Sequence, residues 1–376
     1  MRINRIILLA FVLGCLAFYT NAESQRIARV AIIQDAASVR LKVSGFYEAL
    51  DSVTNQVLYK ARNLNTTVTA YKDGISLGAT QSNTKKLFIK PMDPAAILID
   101  GRRFRGVIQF IRKDNGRLLV INHLDLEDYI KGILYHEVSH YWPKEALRAQ
   151  AIVSRTYAVY QMEQNKSRDF DLTNDIYSQV YGGLTSERYR TNRAVKDTSG
   201  LIITYQDKPL PAYFHATCAG RTEDVSQLWN INIPPLKGVA CGFCGNSPHF
   251  DWHLVLSKKE ITGALLKAGY NIKDIKDIVI LGKNQSGRVT ELKIVSDEKE
   301  TKISAKDLRN ILGPNVIRST NFSVNIAEGD ALFEGIGWGH GVGLCQWGAY
   351  FMAKDGLAYE QILQHYYPGT AISSLN

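Results

Sequence analysis

Short apolar segments with alternating polar positions fill the first third of the chain and predict β-strands. The segments are rich in β-branched residues, and tight-turn sequences such as Asp100-Gly101 separate them. They span residues 29–33, 39–43, 87–89 and 106–110. The pattern therefore predicts a β-rich region from residue 26 to about residue 122.

The hydrophobic period changes to that of a helix after Asp125, which is suited to cap the helix N-terminus. A second helix is predicted over residues 143–164, since Pro143 fits a first helical turn. Farther on, helices are predicted at 258–268, 305–312, 346–354 and 358–366, and strands at 201–205, 212–215, 278–281 and 289–295. No internal repeat is present. The predicted fold class is α+β, a β-rich N-terminal part followed by a mixed helix/strand region.

The first 22 residues have the pattern of a secretory signal peptide. Arg2 and Arg5 precede an apolar run over residues 6–19, and the small residue Ala22 offers a cleavage site. The run is too short for an ordinary membrane-spanning helix. We therefore predict an exported protein in the periplasm or cell wall. The alternatives are an uncleaved anchor or lipidation at Cys15, either of which would bring membrane contact.

The composition is that of a globular protein, with 376 residues, 45% apolar and 22% charged. The formal net charge is +9, and removal of Arg2 and Arg5 with the signal would leave 9 − 2 = +7. A basic surface suits an anionic wall or membrane surface. The excess charge is scattered, so nucleic acid is not expected as a partner. The predicted division is a signal peptide (1–22), a β-rich segment (23–96) and one large domain (97–376).

Three long motifs give the chain a family resemblance. They read LEDYIKGILYHEV (126–138) with WPKEALRAQA (142–151) and SRTYA (154–158); YFHATCAGRTE (213–223); and GWGHGVGLCQWGA (337–349) with HYYPGT (365–370). In this order they resemble the SpoIID/LytB family, the stage II sporulation protein D and amidase enhancer type. The resemblance covers roughly residues 97–370.

The resemblance implies that the protein binds or cleaves the glycan strands of peptidoglycan. The family includes a lytic transglycosylase of peptide-stripped glycan, and also non-enzymatic proteins that stimulate a cell-wall amidase. The catalytic acid of the transglycosylase falls on Glu137, where the chain departs from the family by having Val138 and Ser139 in place of the usual Met and Pro. The motif residues expected to contact substrate are Arg155, His215, Trp338, His340 and Gln346.

A rival interpretation comes from His136-Glu137-Val138-Ser139-His140, a literal HExxH sequence. On a helix, two histidines four residues apart can bind zinc while the Glu acts as general base of a peptidase. Pro143 follows closely and limits the helix, and no third ligand is evident downstream. The zinc peptidase therefore remains a remote alternative.

Four cysteines follow the predicted signal, and three lie near histidines. Cys218, Cys241, Cys244 and His249 could bind one structural zinc ion, because a C-x-x-C turn supplies two ligands of a tetrahedron. The ion would not take part in the chemistry. A disulfide from Cys218 to Cys241 or Cys244 is the alternative in an oxidising compartment. Cys345 occupies a position where the family often has Ser, so we expect it to be dispensable for the chemistry.

Overall fold

The predicted signal peptide and Cys15 lie outside the part of the chain that a computed structural model describes. The structure covers residues 26–92, 97–175 and 178–375. Its strands are β1 (Ile27–Ala36), β2 (Ser38–Asp51), β3 (Val57–Tyr71), β4 (Gly74–Leu77), β5 (Thr80–Ser82), β6 (Lys86–Pro91), β7 (Ile97–Ile99), β8 (Arg102–Phe104), β9 (Val107–Arg112), β10 (Leu118–Asp125), β11 (Leu172–Thr173), β12 (Leu201–Tyr205), β13 (Lys208–Pro209), β14 (Phe214–His215), β15 (Asp251–Ser257), β16 (Ile275–Lys283), β17 (Val289–Ser296), β18 (Glu300–Ser304), β19 (Phe322–Ala327), β20 (Asp330–Ile336), β21 (Leu344–Cys345) and β22 (Ala371–Ser374). Its helices are α1 (Leu126–Glu137), α2 (Lys144–Gln164), α3 (Tyr189–Asp197), α4 (Lys258–Lys267), α5 (Ala305–Leu312), α6 (Gln346–Lys354) and α7 (Tyr359–Tyr366).

One large, mainly antiparallel sheet contains β1 to β11. Its order is β11-β1-β10-β9-β6-β2-β3-β4-β5, with β7 joining β2 to β8. Strands β9 and β10 are buried along nearly their whole length, because α1 and α2 help to cover one face of the sheet. The boundary predicted between residues 96 and 97 lies between β6 and β7, which are strands of this single sheet. The β-rich N-terminal part therefore extends to Asp125.

The central helices follow directly from the last long strand of this sheet. The Asp125 carboxylate caps α1 by accepting the Glu127 N–H at 2.8 Å. Helix α2 starts after Pro143 and is lined with small buried residues, which lets α1, α3 and α6 pack closely against it. The mixture of sheets and helices confirms the predicted α+β class.

The C-terminal half contains two further cores. One is formed by α6, α7, the β14–β21 pair and the loops that carry the cysteines. The other lies among β15 to β20, α4 and α5 and has its own set of buried aliphatic residues. Within the described residues, no helix is both long and apolar enough to cross a membrane.

Candidate functional site

Glu137 is the last residue of α1, at the point where the chain leaves the helix. Val138 has an extended backbone (φ −142°, ψ 149°), and its N–H donates to the Leu134 carbonyl. Leu134 and Val138, on either side of Glu137 in the chain, are buried. The Glu137 side chain is partly buried and accepts a hydrogen bond from the Val180 backbone N–H.

Burial raises the pKa of the Glu137 carboxyl group to about 7, against the opposing effect of the Val180 hydrogen bond. The position adds a second physical reason, since the C-terminal end of a helix carries a partial negative charge that disfavours another anion. No lysine or arginine of the described residues contributes a compensating charge. The geometry therefore favours a carboxylic acid that retains its proton near neutral pH.

The segment that carries Val180 is held against α1 by a close approach at Gly132. The Gly182 N–H donates to the Gly132 carbonyl at 3.2 Å. A Cβ at position 132 would lie 2.4 Å from Cε2 of Tyr181. The Tyr181 hydroxyl donates to Asn122 at 2.9 Å, which fixes the ring. Gly132 therefore sets the distance between α1 and the hydrogen-bond donor to Glu137.

Gly132→Ala is expected to lower the free energy of unfolding by about 1–3 kcal/mol through overpacking, although alanine favours a helix. Gly263→Ala in α4 is the matched control, because no heavy atom lies within 4 Å of the added Cβ. The control should gain about 0.5–1 kcal/mol. Denaturant unfolding of both variants measures the difference, and equal stabilisation of both would contradict the close packing at Gly132.

Two other carboxylates of the motifs, Glu145 and Glu223, have partners of their own. Glu145 pairs with Arg148 at 3.1 Å and accepts the Tyr359 N–H at 3.2 Å. Glu223 is buried and accepts hydrogen bonds from Asn284 and Ser286 at 2.7 and 2.8 Å. Glu137 is therefore the carboxyl group of the first motif that remains available for chemistry.

A row of partly exposed aromatic rings extends from the region of Glu137. Burial raises the pKa of the Tyr157 phenol, and the charge of Glu137 contributes to that shift. The Tyr157 and Tyr213 ring centroids are 6.0 Å apart, and Tyr213 stacks on Trp229 at 4.4 Å. Tyr157 and Tyr213 belong to the motifs, but no sequence pattern indicated Trp229. Rings arranged in this way can stack against the apolar faces of sugars.

His340 and His215 lie beside this row, with ring centroids 5.6 Å apart. His340 Nδ1 accepts the Val342 N–H at 3.1 Å, and the ring also bonds the Phe214 backbone. His215 Nδ1 contacts the Val342 carbonyl at 3.1 Å. Burial, with the positive charges of Arg309 and Arg288, lowers the pKa of His340 to about 3. The structure thus places both predicted histidines together, and His340 acts as a neutral clamp between two backbone segments.

His340→Ala is expected to lower the free energy of unfolding by about 2–4 kcal/mol, because it leaves two buried backbone groups without partners. The folded-state pKa is depressed, so stability is lost in the wild type as pH falls from about 6.5 towards 3, when only the unfolded state takes up the proton. The variant should show a shallower loss in that window.

The control is His253→Ala, since His253 is exposed on β15 and should change stability by no more than about 0.5 kcal/mol. Urea unfolding at several pH values measures both variants. Unchanged stability of His340→Ala at pH 7 would exclude the clamp.

Arg155 was expected to contact substrate, but its side chain is buried and paired with other groups of the protein. Its side chain is 0% exposed and forms a bidentate ion pair with Glu127, at 2.6 and 2.7 Å. It also donates to the Leu201 carbonyl at 3.0 Å. Gln346 is likewise buried, and its amide donates to Gln150 at 3.4 Å. Both residues join α2 to neighbouring elements, which explains why the motif contains them.

Trp338 lies in a second aromatic cluster, apart from the Tyr213–Trp229 stack. The ring centroids of Trp338 and His249 are 4.8 Å apart in an edge-to-face arrangement. The Arg318 guanidinium carbon lies 4.8 Å from the centroid of the Trp338 ring. Trp347 continues the cluster and contacts Trp142, whose ring centroid is 5.1 Å away. These rings are partly exposed, so Trp338 stays a candidate for sugar contact.

The HExxH sequence does not form the helical zinc motif. Helix α1 ends at Glu137, so His136 and His140 do not share a helix face. His136 Nε2 hydrogen-bonds the Ser186 hydroxyl at 2.5 Å, and His140 packs against Tyr141 with ring centroids 4.0 Å apart. Neither histidine belongs to a potential metal-ligand group in the described part of the chain. These positions count against the peptidase alternative.

The cysteines form one buried cluster, with a membership that differs from the sequence-based ligand set. The Sγ atoms of Cys218, Cys241, Cys244 and Cys345 all lie within 4.8 Å of one another. His249 lies outside the group, against Trp338. Cys345 was expected to be dispensable for the chemistry and was not part of the predicted ligand set, but its Sγ atom is the fourth member of the cluster. No local sequence pattern indicated this, because β14 and β21 pair only in the fold and bring Cys345 beside Cys218.

Comparisons with known proteins agree with the motifs. A family model described as Stage II sporulation protein matches residues 114–205, and a Domain of unknown function (DUF8618) matches residues 242–343. An uncharacterized protein of Brachyspira hyodysenteriae is 33% identical over 94% of both chains.

Other relatives carry functional names. Stage II sporulation protein D of Bacillus amyloliquefaciens is 30% identical, over 67% of this chain and 75% of its own length. The amidase enhancer of Bacillus subtilis is 25% identical, over 74% of this chain and 45% of its own length. With the three motifs in place and these relatives aligned across most of its length, the chain belongs to the stage II sporulation protein D (SpoIID/LytB) family.

Proposed function

We propose that this protein acts at the cell wall and cleaves peptidoglycan glycan strands as a lytic transglycosylase, with Glu137 as the acid. The observation that carries the proposal is the Glu137 carboxyl group, partly buried at a helix C-terminus with no compensating cation among the described residues. A carboxyl group in such surroundings is protonated near neutral pH and can donate to a leaving group. The substrate lies outside the cytoplasm, so the proposal includes export through the first 22 residues.

The reaction needs one carboxyl group rather than the usual pair. Glu137 gives its proton to the glycosidic oxygen, and the bond from that oxygen to C1 of the muramic acid breaks. The 6-hydroxyl of the same sugar then bonds to C1, and its proton returns to the Glu137 carboxylate. No water is consumed, so no second carboxylate has to activate one, in contrast to ordinary glycosidases. Glu145 and Glu223 are both hydrogen-bonded to other groups of the protein, which agrees with a reaction that uses a single carboxyl group.

The proposed substrate contacts are the aromatic rings rather than the buried motif residues. Tyr213 and Trp229 stack in parallel, 15° between their planes, and remain partly exposed. Sugar rings bind such surfaces through their C–H faces. The glycan is therefore expected to lie along the row from Tyr157 to Trp229, with a glycosidic bond at Glu137.

The test is mass spectrometry of the soluble products that the full chain releases from peptidoglycan, either intact or stripped of its peptides by an amidase. The proposal predicts fragments that end in 1,6-anhydromuramic acid, released at a higher rate from the stripped strands. Fragments with an ordinary reducing end would mean hydrolysis by water and would overturn the transglycosylase assignment.

Stimulation of a cell-wall amidase is the second candidate function. The name of the Bacillus subtilis relative and the Val138-Ser139 departure after Glu137 favour it. This function predicts sedimentation of the protein with glycan and faster release of stem peptides by an added amidase, with no new anhydro end. The same product analysis, repeated with the amidase present, distinguishes the two functions.

A further inference from the structure

Four cysteine side chains from three distant parts of the chain meet in the interior. Cys218 follows β14, Cys241 and Cys244 lie on one tight loop, and Cys345 precedes α6. All four are buried and carry free thiols. The Sγ atoms of Cys218 and Cys244 are 3.5 Å apart, and the largest separation within the group is no more than 4.8 Å.

We propose that Cys218, Cys241, Cys244 and Cys345 bind one zinc ion as a structural tetrathiolate site. Zinc–sulfur bonds of about 2.3 Å in a tetrahedron place the sulfur atoms about 3.8 Å apart. The Cys218–Cys244 separation of 3.5 Å and the upper limit of 4.8 Å for the group are compatible with that value. Oxygen and nitrogen ligands are absent from the group among the described residues, and a set of soft thiolates in a closed tetrahedron selects zinc over magnesium or calcium.

The surroundings of the sulfur atoms are suited to thiolates. Cys345 Sγ accepts the backbone N–H groups of Cys218 and Gly348, both at 3.3 Å. The Tyr366 hydroxyl lies 3.1 Å from Cys241 Sγ. Donors of this kind orient metal-bound thiolates and stabilise their charge.

A buried cation lies beside the cluster. Arg288 is 1% exposed, and its Nη2 donates to the Cys218 carbonyl at 3.2 Å. Its Nε–H lacks an acceptor among the described residues. Because a zinc ion with four thiolates carries net negative charge, the Arg288 guanidinium offsets it in a region from which water is excluded.

Gly348 lies where α6 packs closely against the sulfur atom of Cys241. A Cβ at Gly348 would lie 3.0 Å from Cys241 Sγ and 1.9 Å from the Tyr366 hydroxyl oxygen. The glycine therefore allows α6 to approach the C-x-x-C loop. An ion at this place would join that loop to β14 and to the start of α6, and so fix the segments that carry His215 and His340.

Disulfides are the competing use of the same thiols. A disulfide joins two sulfur atoms at about 2.05 Å and leaves them poor acceptors of hydrogen bonds. The two N–H donors on Cys345 Sγ, with the cation of Arg288, fit the thiolate form better. The site is distinct from the chemistry assigned to Glu137, so it stands or fails independently of the proposed function.

The test is elemental analysis and zinc K-edge absorption of the full chain, purified without chelators or metal-affinity resin. We expect one zinc ion per chain and a first shell of four sulfur atoms at about 2.3 Å. Cys345→Ser should lose most of the bound zinc and unfold at a lower temperature. His249→Ala, the matched control, should retain one zinc ion per chain.

The contrary results are equally specific. A shell of three sulfur atoms and one nitrogen, together with zinc loss in His249→Ala, would restore the sequence-based ligand set and overturn the tetrathiolate site. Bound iron in place of zinc would also overturn it, as would a metal-free protein whose mass is lower by two hydrogens per disulfide. The absorption measurement uses the wild type, so it decides the matter even where Cys345→Ser fails to fold.

Discussion

Glu137→Gln is expected to reduce the release of anhydro-ended glycan by about 10²–10⁴-fold, the usual contribution of a general acid. The same variant is expected to be more stable than the wild type at pH 8, by about 1–3 kcal/mol. The gain arises because glutamine keeps the hydrogen bond from Val180 and never ionises in the partly buried position. Loss of activity combined with a gain in stability is characteristic of a functional group placed in unfavourable surroundings.

The raised pKa of Glu137 determines how the free energy of unfolding changes with pH. The folded-state pKa of Glu137, about 7, lies above the ordinary value of 4.5, so the folded protein binds more protons than the unfolded chain between these values. The wild type therefore loses stability as pH rises through this window, and the variant should not show that loss. Urea unfolding at pH 5, 6, 7 and 8 (about one-unit steps across the shift) measures the difference between the two proteins.

Glu298→Gln is the matched control, because Glu298 is exposed in the turn between β17 and β18. It should leave both the cleavage rate and the pH dependence of stability unchanged. A Glu137→Gln protein that is less stable than the wild type at every pH would instead identify Glu137 as a structural anchor of the loop after α1.

Arg155→Met is expected to lower the free energy of unfolding by about 3–5 kcal/mol, the largest effect on stability that we predict. The substitution leaves the Glu127 carboxylate without its bidentate partner and removes the donor to the Leu201 carbonyl. Arg148→Met is the control, since Arg148 is partly exposed and pairs with Glu145 and Asp197 near the surface. It should cost no more than about 1 kcal/mol.

Thermal and denaturant unfolding of the two arginine variants measure these costs, and glycan sedimentation at low temperature measures binding by the folded protein. We expect folded Arg155→Met to bind glycan like the wild type. A variant of normal stability that no longer binds glycan would support substrate contact by Arg155, which was the sequence-based expectation.

The hydrophobic period predicted the elements well where it was strong. Helix α5 was predicted with its observed bounds, and Asp125 was identified as the cap of α1 before any contact was known. The pattern did not reveal β3. This strand is long and largely exposed, so it shows little apolar alternation, and its pairing with β2 holds it in the sheet. It also missed α3, since that helix is short and mostly polar.

The residues of the candidate site were predicted less completely than the fold. Glu137 and the histidines could be found from the motifs, because the family resemblance aligns them with positions of the family pattern. Arg155 was assigned to substrate since a motif does not distinguish a buried ion pair from a binding contact. Trp229 and Cys345 depend on pairings between distant segments, which no local sequence pattern encodes.

The central claim is that Glu137 acts as a protonated acid, and the pH dependence of kcat/KM for cleavage of a soluble, peptide-free glycan tests it most directly. This ratio reports the ionisation of the free enzyme. We expect the ratio to fall as pH rises through about 7, the pKa of the Glu137 carboxyl group. A ratio that rises through the same pH range, or one that is unchanged in Glu137→Gln, would contradict the account.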